Sequence, residues 1–236
     1  MIGKRHLTEA LRRMSDEPLR PGLPLTFKIH RIPFFLEPGY VSKDASFQET
    51  NVQRKVRMFG SMEQWQKVAK QHRLAERGAE VGIVFDPERL VSSTLNSHRL
   101  IQWVAQHQST ATAEALYDVL NQRHHVQGLS LNDMDLLVQC AGEVGLCESA
   151  TRNFLQSDRG RTEVLAMFEM VQQQQINSIP TFIVDGQHLI QGAAHVDEIE
   201  RLLRSLERSV ADKEDQEEGS GAAALNGRTV FAAPCG

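Results

Sequence analysis

Asn177-Ser178-Ile179-Pro180-Thr181-Phe182-Ile183-Val184-Asp185-Gly186, followed by Gln187 to Ala193, is the stretch from which the fold can be read. Thr181 to Val184 is an apolar, β-branched run that opens directly after a proline, a place where a strand tolerates one. Asp185-Gly186 favours a two-residue hairpin turn, because both central positions of that turn need positive φ. Gln187 to Ile190 returns as the partner strand, and Gly192-Ala193 makes a tight junction. Val196, Ile199, Leu202, Leu203 and Leu206 then recur at helical spacing, which predicts an amphipathic helix over about 195–208. The order strand, hairpin, strand, glycine, helix is one half of an α/β layer.

Working outward, the other half of the sheet has to come from a distant part of the chain. Leu7, Ala10, Leu11 and Met14 fall at i, i+3, i+4, i+7 and predict a helix over 3–15. A break follows at Pro18, Pro21, Gly22 and Pro24. Leu25, Phe27 and Ile29 then alternate with Thr26, Lys28 and His30, a strand pattern that ends at Pro33. Phe47, Val52, Val56 and Phe59 share a helical face that stops at Gly60. Ser61 with Gln64 forms a capping box for the next helix, which carries Met62, Trp65, Val68, Ala69 and His72 and ends before Gly78. Val81 to Phe85 reads as a strand or an extended loop. From about Thr94 to Gln175 the pattern is helical throughout, with Asn132 as an N-cap and Gly145 as a stop. Beyond Arg208 the periodicity ceases, and the acidic, Ala/Gly-rich composition of 209–236 reads as a disordered tail. The expected division is 1–40 and 176–208 for the two parts of the sheet-bearing domain, 41–175 for a mainly helical insertion, and 209–236 for the tail.

Composition narrows the function classes. Apolar residues make up 41% and charged residues 24% of 236 positions, which suits a globular protein with a core. The net charge of -4, with both signs interspersed, gives no footprint for nucleic acid. No apolar run is long enough to cross a bilayer, and Met1 to His6 lacks the apolar stretch of a secretory signal. Glu9, Asp16 and Glu17 argue against a mitochondrial presequence. Three unclustered cysteines, Cys140, Cys147 and Cys235, do not make a disulfide framework and favour a reducing setting, so a cytoplasmic location is expected.

The segment 177–193 with its following helix resembles the C-terminal half of the thioredoxin fold. Ile32-Pro33-Phe34-Phe35-Leu36-Glu37-Pro38, Ser97-His98-Arg99-Leu100-Ile101 and Gly145-Leu146, in this order, further resemble FrnE-like oxidoreductases of the DsbA family, over roughly residues 2–206. The resemblance implies a thioredoxin-like α/β fold with a large helical insertion. It implies a cis Ile179-Pro180 bond, where the residues alone leave a trans edge-strand start equally open. It also implies a substrate groove in which Ser178, Ile179 and Pro180 meet an extended peptide through backbone pairing. His98 is a further candidate for the cleft, against its competing reading as a packing histidine. Ser93-Thr94 and Ser97 depart from the Asn-Thr and Ala that the family commonly shows there.

In the family a strand and a C-x-x-C precede the first helix, whose N-terminus lowers the thiol pKa. Ile2-Gly3-Lys4-Arg5-His6-Leu7 resembles the stretch just after that dithiol, so an N-terminally truncated domain is expected, with no catalytic residue to assign. Loss of an internal strand would expose its neighbours' edges, and the chain is expected to be poorly stable. Cys140 reads as a core residue. Cys147, at a helix start, reads as mildly activated, and Cys235 as a thiol in the tail. Arg123-His124-His125 has no partner at ligand spacing, so no metal site is expected and the pair reads as a solvated helix end.

The implied activity is thiol–disulfide exchange on a disulfide- or thiol-containing peptide or small molecule, inactive in these residues for want of the dithiol. A glutathione-dependent enzyme of the kappa-transferase or 2-hydroxychromene-2-carboxylate isomerase type shares the fold, which leaves glutathione open as a cofactor. A non-catalytic peptide-binding module is the third reading. A homodimer is also left open.

Overall fold

The computed structural model describes residues 1–21, 26–44, 46–184, 186, 188–192, 194–218 and 228–233. Gly22, Pro24, Leu25, Asp185, Gln187, Ala193 and Cys235, named above, lie outside them. The chain divides into two compact units, Met1–Ile32 with Ile176–Cys235, and Pro33–Gln175. The stretch 33–40 therefore goes with the helical part, not with the sheet.

The sheet unit opens with α1 (Ile2–Asp16) and β1 (Phe27–Arg31). The chain then builds the helical unit. There β2 (Gln48–Thr50) is followed by α2 (Asn51–Phe59), α3 (Met62–His72) and α4 (Leu74–Glu80). After β3 (Leu90–Ser92) come α5 (Leu95–His107) and α6 (Thr110–Asn121), which runs into a π-helical turn at Gln122–Val126. Three more helices, α7 (Met134–Glu143), α8 (Glu148–Gln156) and α9 (Arg161–Gln173), complete the unit. The chain returns to the sheet with β4 (Thr181–Val184), β5 (His188–Gln191), α10 (Val196–Glu218) and β6 (Arg228–Ala233).

The four-stranded sheet has the order β1-β6-β4-β5. β4 and β5 form the antiparallel hairpin, Thr181 opposite Gln191 and Val184 opposite His188. β6 lies between β1 and β4, parallel to the first and antiparallel to the second. This overturns two expectations. Residues 209–218 and 228–233 are not a structureless tail, since α10 runs ten residues past Arg208 and β6 enters the sheet. The edges of β1 and β4 that a missing strand would expose are paired, because the C-terminal segment fills the gap. Composition hid this: a short Thr-Val-Phe run after an Ala/Gly-rich stretch carries little strand signal without its neighbours.

Leu7, Ala10 and Met14 of α1 pack with Ile199, Leu203 and Leu206 of α10 against Phe182, Val184 and Ile190 of the sheet. Arg13 seals the helix pair, 3.0 Å from Asp197 and 3.3 Å from Glu200. The core of the helical unit is separate, built on Leu100, Val104, Leu116, Leu137, Cys140 and Phe154 among others. Among the described residues no helix is long and apolar enough to cross a membrane.

Several local expectations are corrected. Only half of the Ser61–Gln64 capping box forms, the Ser61 hydroxyl accepting from the Gln64 N–H. A complete box stands one helix earlier at Thr50 and Gln53. The helix over Met62–His72 does end before Gly78, which lies in the next helix, α4, where a Cβ would sit 2.7 Å from the Phe85 ring. Asp133, not Asn132, caps α7. The His124-His125 pair is buried in the π-helical turn instead of solvated.

Candidate functional site

The residues Ser178, Ile179 and Pro180 come together just ahead of β4. Ser178 is exposed and the other two half-buried. The Ile179–Pro180 bond is cis. The Thr181 hydroxyl donates to the Ser178 carbonyl at 2.7 Å, and the Gly192 N–H donates to the Pro180 carbonyl at 2.8 Å. Pro180 has no N–H to offer. The Ile179 N–H and C=O have no hydrogen-bond partner among the described residues. A half-exposed peptide group with both functions free is a docking point for an extended chain.

The first turn of α1 forms one wall. Gly3 stands so close to Pro180 that a Cβ would lie 2.7 Å from the proline Cγ and 3.2 Å from the Phe182 ring. Only a residue without a side chain lets the helix start approach this segment. Three residues on, His6 fixes the helix to the junction before α10, its Nδ1 2.7 Å from the Ala194 carbonyl oxygen. Neither Gly3 nor His6 stood out in the sequence, since a helical glycine and a lone histidine carry no periodic signal. β6 reaches the same place, because its last residue, Ala233, is paired with Thr181.

His98 is elsewhere. It belongs to the helical unit, where Nε2 lies 3.2 Å from the Phe34 carbonyl oxygen and the ring meets Phe35 edge-on. Burial drives its pKa down to about 4, so it is neutral near pH 7, and it packs as a core side chain. Its neighbour Arg99 is the residue that sequence reasoning missed. Buried at 4% exposure, it donates to the carbonyls of Arg159, Phe154, Leu155 and Ser157 and to Asn96. It thereby satisfies the C-terminal carbonyls of α8, where a cation suits the helix dipole.

The thiols divide as well. Cys140 is buried in the helical core, and burial raises its pKa. Cys147 is exposed at the N-cap of α8, and its hydrogen bond with Ser149 lowers its pKa. Both belong to the helical unit, whereas Ile179 and Pro180 belong to the sheet unit. Among the described residues no three His, Cys, Asp or Glu side chains gather as a metal-ligand set.

The α/β layering, the hairpin after a proline and the helix start laid against that proline match a known pattern. The family model for the DSBA-like thioredoxin domain matches residues 1–204. The chain belongs to this family. Within the DSBA-like family it is similar in fold to a probable DsbA oxidoreductase from Streptomyces coelicolor, with a TM-score of 0.70 and 22% identity, covering 95% of this chain and 86% of that one. No curated protein matches. For a DSBA-like domain, the free peptide group at Ile179 and the Gly3–Pro180 approach place the candidate site in the sheet unit.

Proposed function

We propose that the segment Ser178-Ile179-Pro180 binds an extended peptide that carries a thiol or disulfide, as a member of a thiol–disulfide oxidoreductase family. The observation that carries this is the unpartnered peptide group of Ile179 beside the start of α1. A peptide laid along it gains backbone hydrogen bonds in the manner of an added strand, and pays none to compete with proline.

The family chemistry is attack of a thiolate on a disulfide sulfur. A new S–S bond forms, and the other sulfur leaves as a thiolate. The 236 residues contain no C-x-x-C, so in this reading they hold a substrate without completing dithiol turnover.

The test uses the full chain and a fluorescent extended peptide containing one mixed disulfide. Binding by anisotropy is expected, weakened roughly tenfold when the peptide's backbone N–H groups are methylated, the loss of about one good hydrogen bond. Equal affinity for methylated and unmethylated peptide would overturn the groove. Catalytic turnover that survives Cys→Ser at 140, 147 and 235 together would overturn the thiol chemistry. Retention on glutathione resin, with no peptide binding, would transfer the assignment to the glutathione-linked reading.

A further inference from the structure

A second constellation lies wholly within the helical unit. Arg54 of α2, Arg89 just before β3, Ser92 at the end of β3 and Thr94 at the start of α5 line a surface cavity of about 40 Å³ together with Glu37 and His124. Its charges are unequally matched. Glu37 accepts from Arg54 Nε at 2.7 Å and from Arg57 Nη2 at 3.3 Å, so its charge is shared between two cations. Glu49 is occupied by Arg57 at 2.8 Å and by the Tyr40 hydroxyl.

Arg89 has no such partner. Its Nη1 lies 3.5 Å from the Asp86 carbonyl oxygen, at the limit of a hydrogen bond, and its Nε is buried with no acceptor among the described residues. No carboxylate of the described residues forms an ion pair with it. Burial destabilises its charge, and Arg54 adds repulsion that Asp86 only partly offsets. Lys55 of the same helix feels both arginines. Arg89 as a whole is half-buried, but a guanidinium edge shielded from water and left without an acceptor is costly unless something completes its hydrogen bonds.

The other groups face the cavity in a matching sense. The Ser92 oxygen accepts from the Ser130 hydroxyl at 2.8 Å, which leaves its own proton free to donate. Thr94 places a second hydroxyl on the wall. His124 turns Nδ1 to the Leu129 carbonyl oxygen at 2.9 Å, and burial holds its pKa near about 4, so it adds no charge near pH 7.

We propose that this cavity is a carboxylate-binding site, with Arg89 as the principal ligand and Arg54, Ser92 and Thr94 completing the donor set. Two guanidinium edges and two hydroxyls suit a planar, two-oxygen anion. The space is also small, about 40 Å³, room for the head of a small anion.

The test measures the thermal midpoint of the full chain near neutral pH in sodium acetate, against sodium chloride and sodium phosphate of equal ionic strength. Acetate is expected to raise the midpoint saturably at millimolar concentration, beyond either control. Arg89→Met is expected to weaken the acetate response tenfold or more, while its midpoint without acetate stays the same or rises. An arginine that merely braces the fold would lower that midpoint. Arg89→Lys, which keeps the charge and loses the fork, is expected to retain a weaker response. Saturation-transfer NMR of acetate on the unaltered chain reads binding without any variant. Acetate acting no better than chloride, phosphate acting as well as acetate, or an undiminished response in Arg89→Met would each overturn the site.

Discussion

The sheet unit and the helical unit solve the problem of buried polar groups in opposite ways. In the sheet unit the buried side chains of α1, α10 and the hairpin are mostly apolar, with Thr181 and the ion-paired Glu207 as exceptions, and the other polar groups that matter are backbone: the ladder of β6 and the peptide of Ile179. In the helical unit charged and titratable side chains go inside, namely His98, Arg99, His124 and His125. A core closed by backbone pairing is broken by changing the chain's path, whereas a core closed by polar side chains is broken by changing one residue or one proton. That difference can be tested element by element.

The largest effect is expected at Arg99. Arg99→Met removes a donor from four carbonyls around the end of α8; Phe154 keeps its bonds from the Ser157 N–H and hydroxyl, while those of Leu155, Ser157 and Arg159 lose the guanidinium in a dry place. The expected loss is about 3–5 kcal/mol, the range for breaking a buried charged network, read as the denaturation midpoint of the helical unit. A midpoint within experimental error of the parent would refute the view that side chains close this core. The matching change in the sheet unit is Val230→Pro. β6 is bonded on both sides, to β1 through Ile29 and to β4 through Val184. A proline there removes a ladder donor and strands its acceptor, for an expected loss of about 2–3 kcal/mol. Hydrogen exchange gives an independent reading: amides of 229–232 are expected to be protected in the parent, and free exchange would show that β6 is not an internal strand.

Gly3→Ala comes next. The added methyl meets the Pro180 ring at 2.7 Å and 3.0 Å, and the Phe182 ring at 3.2 Å. Helix propensity favours alanine by nearly 1 kcal/mol, so a net loss of about 1–2 kcal/mol would mean that overpacking wins. An unchanged or higher midpoint would show that α1 is free to shift away from Pro180, and would weaken the groove as drawn.

The two units also differ in how far their sequences could be read. The alternation of Phe27 and Ile29, the Thr181–Val184 run and the spacing of Ile199, Leu203 and Leu206 name their own elements, because an apolar face leaves a period in the sequence. That was enough for the α/β class and for the strand that follows Pro180; the role of Ile179-Pro180 came from the resemblance, not from the period. β6 was not legible, since a six-residue strand depends on the neighbours that pair with it, and those are some fifty and two hundred residues away. Gly3 was not legible either, because a close approach is a fact about two segments. The buried histidines and Arg99 were hidden for another reason. A polar residue on a helix reads as solvated unless its acceptor is known, and the acceptors here are backbone carbonyls, which no residue type marks.

The buried histidines supply the last test, and its sign follows from their pKa values. Burial holds His98 and His124 at about 4 and His125 well below 6.5, where each would titrate in the unfolded chain. Above pH 6.5 both states are neutral and the full stability is present. As the pH falls from 6.5 towards 4, the unfolded chain takes up protons that the folded helical unit refuses. Stability therefore declines across that window, by about 1.4 kcal/mol per pH unit for each proton involved, and levels off for His98 and His124 below their folded values. The stability of the parent is expected to fall between pH 6.5 and 5 with an uptake of two to three protons on unfolding. His98→Phe keeps a ring beside Phe35 and is expected to reduce that uptake by about one, with only a small effect at pH 7. A pH slope unchanged in His98→Phe would mean that His98 is protonated in the folded protein, and that the helical core admits charge more readily than its packing implies.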